Sequence, residues 1–320
     1  MKAIVIHEFG GPEVLSYEQS PDPQPGPGEV VVRLKAVGVN PVETYQRAGS
    51  QGYDRPRPFT PGADGAGVVE QMGDEVSGLA LGDRVYVAGS QTGTYAQLCR
   101  CSAAQVHPLP QSLSFEQGAC LWINYGTAYR ALFHRGGALA GERVLVHGAT
   151  GGVGVAALQW AKYRGLVPFA TYGSDSGRTM LQELGVSHCF SHAGGDDREA
   201  VLEATAGDGV DLIVEMLANV NLEADLDMLA RGGRVVVVGS RGSIEITPRK
   251  LMAREADVRG LMLYGATPGE TVEIHAAIAA AARASAIAPI IQTSMPLAQA
   301  ADAHTAVMEA PSHGKIILIP

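Results

Sequence analysis

The apolar positions change rhythm partway along the chain. Up to about residue 120 they come in short runs, at 3–6, 29–37, 66–69, 84–87 and 95–100, in the manner of half-buried strands. In 29–37, Val30, Val32 and Leu34 fall on one face. Glycine pairs and prolines separate the runs, and Pro21-Asp22-Pro23-Gln24-Pro25-Gly26-Pro27-Gly28 is too rich in proline for a helix or a central strand. Short strands with few helical stretches predict a β-rich domain. From residue 139 onward, apolar strands alternate with helical segments. Strands are expected at 144–147, 169–173, 188–190, 210–214, 234–238 and 258–264, and this alternation signals a parallel sheet with right-handed crossovers. The runs at 210–214 and 234–238 are close to continuously apolar, as strands covered on both faces should be. Val153, Ala157 and Ala161 line one helical face, and Gly165 stands where that helix should end. The second strand is expected to begin after Pro168, which has no ladder donor. A helix over 270–284, a strand at 289–292, a helix over 296–309 and a strand at 315–319 complete the pattern. The last strand needs a sheet to join, and the first domain is the expected host. The fold class is therefore α/β: a doubly wound, six-stranded parallel sheet in residues 124–264, inserted in a β-rich domain made of 1–123 and 265–320.

Chemistry enters at the junction of the first parallel strand with its helix, His147-Gly148-Ala149-Thr150-Gly151-Gly152-Val153-Gly154. Glycines at 148, 151, 152 and 154 let a backbone turn approach a pyrophosphate closely, and the helix behind offers N–H donors and a positive dipole end. A strand before the turn and a helix after it give the context that identifies a dinucleotide site. Ligand contacts are expected at the strands' C-terminal ends: 150–153, 173–174, 191–192, 217–221 and 239–241. An NAD site carries an acid where the second strand ends, to hold the ribose 2′-hydroxyl. Here that strand runs into Gly173 and Ser174; Asp175 comes late and Arg178 follows on the next helix. A small hydroxyl-bearing turn with a nearby cation suits a 2′-phosphate, so NADPH is expected, with Ser174 and Arg178 among its contacts. Arg178 could equally be a solvated helix-surface charge.

In the first domain, Asn40 precedes Pro41, which predicts an extended backbone and an amide projecting into a cleft. Tyr45 follows near the start of a short helix. Asp64, in Pro61-Gly62-Ala63-Asp64-Gly65-Ala66-Gly67, reads better as a satisfied turn carboxylate than as a catalytic group.

Composition narrows this picture further. The 320 residues are 46% hydrophobic and 18% charged, ordinary for a globular chain of about two domains. A net charge of −9 argues against nucleic acid as the partner. The cysteines, Cys99, Cys101, Cys120 and Cys189, have neither disulfide nor Cys-x-x-Cys spacing. The N-terminal run is too short for a signal peptide, and no apolar stretch reaches the roughly 20 residues of a membrane span. A cytoplasmic protein with no membrane association is expected.

The segments Glu8-Phe9-Gly10-Gly11-Pro12-Glu13-Val14-Leu15, 38–45, Gly126-Thr127-Ala128-Tyr129-Arg130-Ala131-Leu132, 145–154, 215–221 and 232–241 resemble the zinc-independent quinone oxidoreductases of the medium-chain dehydrogenase/reductase superfamily, the ζ-crystallin group. The resemblance runs essentially end to end. It implies a bilobed subunit with a GroES-like first domain and a Rossmann second domain, NADPH as cofactor, quinone reduction and a homodimer or homotetramer. By resemblance the cofactor contacts are Tyr45, Thr150, Gly151, Gly152, Val153, Gly173, His192, Asn221, Val238, Gly239, Ser240 and Arg241, with Leu261, Met262 and Leu263 near the nicotinamide. Zinc-binding relatives carry cysteine where this chain has Asn40 and histidine where it has Ala63. No metal is therefore expected, and a lobe of four closely spaced cysteines is missing as well.

Quinones and activated alkenes are already electrophilic, so the protein needs chiefly to position them and exclude water. Asn40, Tyr45 and Thr127 are the candidates for orienting the acceptor oxygen, with Tyr45 also a proton donor; Thr127 could instead be a helix cap. Two other readings stay open: an enoyl or alkenal double-bond reductase taking an enone, and a nucleotide-binding structural or RNA-interacting protein. The loop Ser50-Gln51-Gly52-Tyr53-Asp54-Arg55-Pro56-Arg57 is more polar than the family's usual version, and Trp122-Ile123-Asn124-Tyr125 is individual to this chain. A sixth strand able to pair across a two-fold axis adds to the expectation of an oligomer.

Overall fold

The computed structural model describes residues 1–50, 52–53, 55–192, 197–309 and 311–320. The chain divides into two units, one of Met1–Ile123, Ala288–Ala310 and Gly314–Pro320, the other of Asn124–Ile287 and Pro311–His313. Residues 265–287, expected with the β-rich domain, thus fall in the second unit.

The first unit is organised around the strand Glu29–Gly38. Its alternation places Val30, Val32 and Leu34 in the core, and it pairs antiparallel with Asp64–Met72, Leu98–Ser102 and Lys315–Ile319. The sheet runs Ile291–Pro296, Lys315–Ile319, Glu29–Gly38, Asp64–Met72, Arg84–Ala88, Val106–Pro108. The C-terminal strand therefore does join the first domain's sheet. Lys2–Ile6 pairs with Leu15–Gln19, a strand with no clear apolar signature. The expected strand at 95–100 lies later, at Leu98–Ser102; the Tyr95 carbonyl accepts from Ile4 of the first strand and its N–H donates to the Pro61 carbonyl. Likewise 289–292 is observed as Ile291–Pro296, and 296–309 as a 3-10 turn followed by the helix Ala300–Glu309.

The second unit carries six parallel strands in the order His188–Ser191, Val167–Tyr172, Arg143–Val146, Val210–Glu215, Leu229–Val237, Asp257–Gly260. This is the doubly wound arrangement in which the strand order reverses between the first and fourth strands. Leu145, Ile213 and Val235 are fully buried, as sheets covered on both faces require. Pro168 lies inside the second strand, opposite Val144. The strand starts two residues earlier than expected because a proline near its first residue forfeits only one donor. The sixth strand stops at Gly260, shorter than the expected 258–264: Leu261 adds one backbone bond to Val237, then Leu263–Gly265 turns as a 3-10 helix. Residues 115–135, unassigned by periodicity, form a helical stretch with π-helical turns at Leu121–Gly126 and Arg130–Arg135. Among the described residues no helix is long and apolar enough to cross a membrane.

Candidate functional site

The strand Glu29–Gly38 delivers Asn40 to the N-cap of the helix Pro41–Ala48. Its backbone is extended, with φ −124° and ψ 148°, as the following proline demands. Glu43, third in the helix, accepts the Asn40 N–H at 2.6 Å, one half of a capping box. The Asn40 amide does not project into a cleft. Asn40 is 1% exposed; its Nδ2 donates to Glu43 Oε1 and to Asp64 Oδ2, each at 3.1 Å, and its Oδ1 accepts from Lys315 Nζ. The expectation that Asn40 orients an acceptor is corrected accordingly. Proline fixes the backbone direction, but partners brought from residues 64 and 315 turn the side chain inward.

Asp64 is satisfied, though by an ion pair and not by a turn. Lys315 Nζ lies 3.1 Å from Asp64 Oδ2, and the Ile123 N–H donates to Asp64 Oδ1 at 2.9 Å. Further groups continue the network. Burial, then the Arg47 charge, hold the His304 pKa down at about 3, so its ring is neutral. Arg47 Nη1 donates to His304 Nδ1 at 3.2 Å, which leaves Nε2–H to donate to the Tyr95 hydroxyl at 3.1 Å. Tyr95 in turn donates to Glu43 Oε2 at 3.0 Å. Burial pushes the Glu43 pKa up to about 7, against the pull of Lys315. Sequence reading missed Glu43, Tyr95, His304 and Lys315. Only Lys315 left a signal, as a lone cation opening an otherwise apolar strand. Tyr45, on the same helix, is half-buried with its ring 5.5 Å from that of Tyr53. Among the described residues its phenol has no hydrogen-bond partner. Gln51 and Asp54 of the polar loop lie outside the described residues.

In the second unit the strand Arg143–Val146 runs into the glycine turn, and the helix Gly152–Tyr163 leaves it with Gly151 as N-cap. Gly148 takes φ +57°, a left-handed conformation that glycine adopts without strain. A Cβ on Gly154 would collide with the Gly148 carbonyl, and one on Gly152 with the Asn124 amide. Thr150, Gly151, Gly152 and Val153 thus open a helix whose first N–H groups lack intrahelical acceptors. This backbone cradle fits a pyrophosphate.

The remaining expected contacts gather at the same edge of the sheet. Gly173 and Ser174 end the second strand, and Ser174 caps the helix Asp175–Glu183, accepting from the Gly177 N–H at 3.2 Å. The His192 ring faces Gly173, 3.0 Å from where a Cβ would lie. Asn221 Nδ2 donates to Glu215 at 3.1 and 3.3 Å. Val238 and Gly239 donate their N–H groups to the Glu215 carbonyl. The Arg241 N–H donates to Asn219 at 2.7 Å, and the Ser240 hydroxyl to the Gly242 carbonyl at 3.0 Å. Leu261 and Leu263 are buried while Met262 is 59% exposed. Arg178 is exposed on its helix, close enough to draw the Cys189 thiol pKa down against burial, which still raises it. Thr127 is buried within the π-interrupted helical stretch. The residue before it, Gly126, is itself helical, so Thr127 caps no terminus.

A cavity of about 600 Å³ opens at this edge, lined among others by His147, Gly148, Thr171, His192, Leu217 and Asn221. Beneath it sits a buried cluster that sequence reading did not single out. His147 Nε2 lies 2.9 Å from Asp225 Oδ1 and 3.7 Å from Glu215 Oε2, and its Nδ1 3.3 Å from the Thr171 hydroxyl. Burial opposes protonation of His147, but Asp225 and Glu215 outweigh it and raise the pKa. Burial pushes the Glu215 pKa up to about 7. The three ligand-type atoms fall within 4.8 Å of one another, joined here by hydrogen bonds that tie the first and fourth strands to the helix Ala218–Met228. The available signal was a charged residue closing each of two apolar strand runs.

Comparison with known proteins agrees with this geometry. Residues 26–111 match the alcohol dehydrogenase GroES-like domain, and residues 152–282 match the zinc-binding dehydrogenase family. The chain is similar to a quinone oxidoreductase of Rattus norvegicus, 43% identical over all of this chain and 98% of the relative. It is also similar to one of Homo sapiens, 42% identical over the same shares of each chain. Among solved structures, the quinone oxidoreductase of Escherichia coli complexed with NADPH superposes with a TM-score of 0.91 at 29% identity, covering both chains completely. The zinc in the second family's description does not fit the first unit's donor set. Ala63 offers no ligand, and the Asn40 oxygen already accepts from an ammonium.

Proposed function

The chain belongs to the quinone oxidoreductases of the medium-chain dehydrogenase/reductase superfamily, and from that premise we propose that it reduces quinones with NADPH and without zinc. The observation that carries the reading is the glycine turn 148–154. Its backbone is stripped of Cβ atoms where a pyrophosphate would lie, at the C-terminal edge of a doubly wound sheet. NADPH supplies the reducing equivalents when bound. The chain's own residues do the rest. The first turn of the helix Gly152–Tyr163 holds the pyrophosphate; Gly173, Ser174 and His192 receive the adenosine ribose; the backbone at 238–241 and 261–263 places the nicotinamide end. Tyr45, whose phenol has no hydrogen-bond partner among the described residues, donates a proton to the reduced acceptor oxygen. Asn40 has no such role, because its amide is committed to Glu43, Asp64 and Lys315.

Steady-state rates with 1,4-benzoquinone, 1,4-naphthoquinone and a set of alkenals, each with NADPH and with NADH, test this reading. Quinone turnover that prefers NADPH is expected. Tyr45→Phe should lower kcat/KM on the quinones by about 10²-fold, the lower end for a positioned acid. Alkenal turnover without quinone turnover would make the protein a double-bond reductase instead.

We further propose a homodimer or larger homo-oligomer. The sixth strand is a sheet edge, and Val258 within it and Met262 and Tyr264 after it are exposed, an arrangement that invites strand pairing with a second copy. Four free cysteines suit a reducing cytoplasm.

A further inference from the structure

Residues on either side of Pro311–His313 belong to the first unit, yet these three belong to the second. The segment lies along the expected cofactor groove. Ser312 Oγ stands 3.5 Å from where a Cβ on Gly151 would be, so it borders the glycine turn. His313 Nε2 is 2.8 Å from the Ser176 hydroxyl and 3.4 Å from the Ser174 hydroxyl, and its Nδ1 is 3.3 Å from the Pro311 carbonyl. The two ends of this short segment therefore mark the two ends of one path. That path is short: a Cβ on Gly177, in the first turn of the helix Asp175–Glu183, would lie 3.1 Å from the Thr150 side chain. The glycine turn and the start of the helix after the second strand are thus direct neighbours.

We propose that His313, with Ser174 and Ser176, binds the 2′-phosphate of NADPH and sets the preference over NADH. This rests on the NADPH reading of the site above and extends it to a residue from the far end of the chain. Nδ1–H donating to the Pro311 carbonyl leaves Nε2 facing the two hydroxyls. A phosphate at that point accepts from both serine hydroxyls, and an imidazolium there adds a charge-assisted donor at Nε2. The His192 ring also lies at this turn, 3.0 Å from where a Cβ on Gly173 would be. A nucleotide with a free 2′-hydroxyl brings no charge to this donor set and gains little from it. Asp175, the acid nearest the strand end, is exposed on the helix.

Binding of NADPH, NADH, adenosine 2′,5′-bisphosphate and adenosine 5′-phosphate to the full chain is measured by titration calorimetry, for the natural protein, His313→Ala and Ser176→Ala. His313→Ala should weaken NADPH and adenosine 2′,5′-bisphosphate by about tenfold or more, the effect of one hydrogen bond to a charged group. NADH and adenosine 5′-phosphate should bind as before, which also shows that the variant is folded. Ser176→Ala should shift the same two ligands by less. If His313→Ala keeps the natural NADPH preference, or weakens all four ligands alike, the assignment of His313 is wrong while the NADPH reading stands. If the natural protein itself does not prefer NADPH, both fall together.

Discussion

Glu43 shows how one buried side chain can set a pH response. Its carboxyl accepts from the Asn40 N–H, the Asn40 amide and the Tyr95 hydroxyl, yet burial pushes its pKa from 4.5 up to about 7. Between those values the unfolded chain gives up a proton that the folded chain keeps. Stability from this group is therefore complete below about pH 4.5 and is lost as pH rises through about 7. Glu215, also pushed up to about 7, and His147, raised above its usual value, act in the same direction. Glu43→Gln should flatten the fall of Tm across this window, removing a change on the order of 2–3 kcal/mol. Parallel Tm profiles for the two proteins between pH 4.5 and 7 would show that Glu43 does not titrate there. The sequence marks Glu43 only as the third residue of a helix after a proline. What raises its pKa is burial, with the neighbouring Asp64 carboxylate adding to it, and both depend on residues brought from elsewhere in the chain.

Among the elements, the glycine turn was the most legible. The strand Arg143–Val146, the turn and the helix Gly152–Tyr163 can be read from local pattern because each glycine answers a local steric demand. Gly148 needs a positive φ, and Gly154 packs against the Gly148 carbonyl. Gly154→Ala should destabilise the protein by about 1–3 kcal/mol and abolish NADPH binding by calorimetry at concentrations that saturate the natural protein. Retained binding would mean the turn does not form the pyrophosphate cradle. Elements whose limits depend on their neighbours were read less well. The sixth strand was drawn too long because apolarity continues through Leu261, Met262 and Leu263, although its sheet partner provides bonds only as far as Leu261. The helical stretch from 115 to 135 escaped because two π-helical turns break the period on which helix recognition depends.

For the molecule as a whole, the return of the C-terminus to the first sheet was legible from a simple need: an apolar strand at 315–319 must pair with something. Its pairing with Glu29–Gly38 meets that need, and it carries Lys315 to Asn40 and Asp64. The division of the chain at Ile287 instead of 264 was not legible, since the helix Pro268–Arg283 would look the same in either unit. Assembly is tested by light scattering after size exclusion. The natural protein should elute as a dimer or larger. Met262→Asp with Val258→Asp should shift it toward monomer, because two carboxylates on an exposed apolar edge oppose pairing. A natural protein that is already monomeric at micromolar concentration would refute the edge-strand interface.

By itself the sequence determined the class of fold, the place of the glycine turn and the family. Each is written in local periodicity, glycine positions or contiguous motifs, which act over a few residues. Only the tertiary structure decided that Asn40 faces inward, that Lys315 is the cation beside it, that His147, Glu215 and Asp225 form one buried cluster, and that His313 reaches Ser174 and Ser176. Those arrangements join residues separated by tens to hundreds of positions. Their energies depend on burial and on which charges meet, and neither quantity exists until the chain has folded.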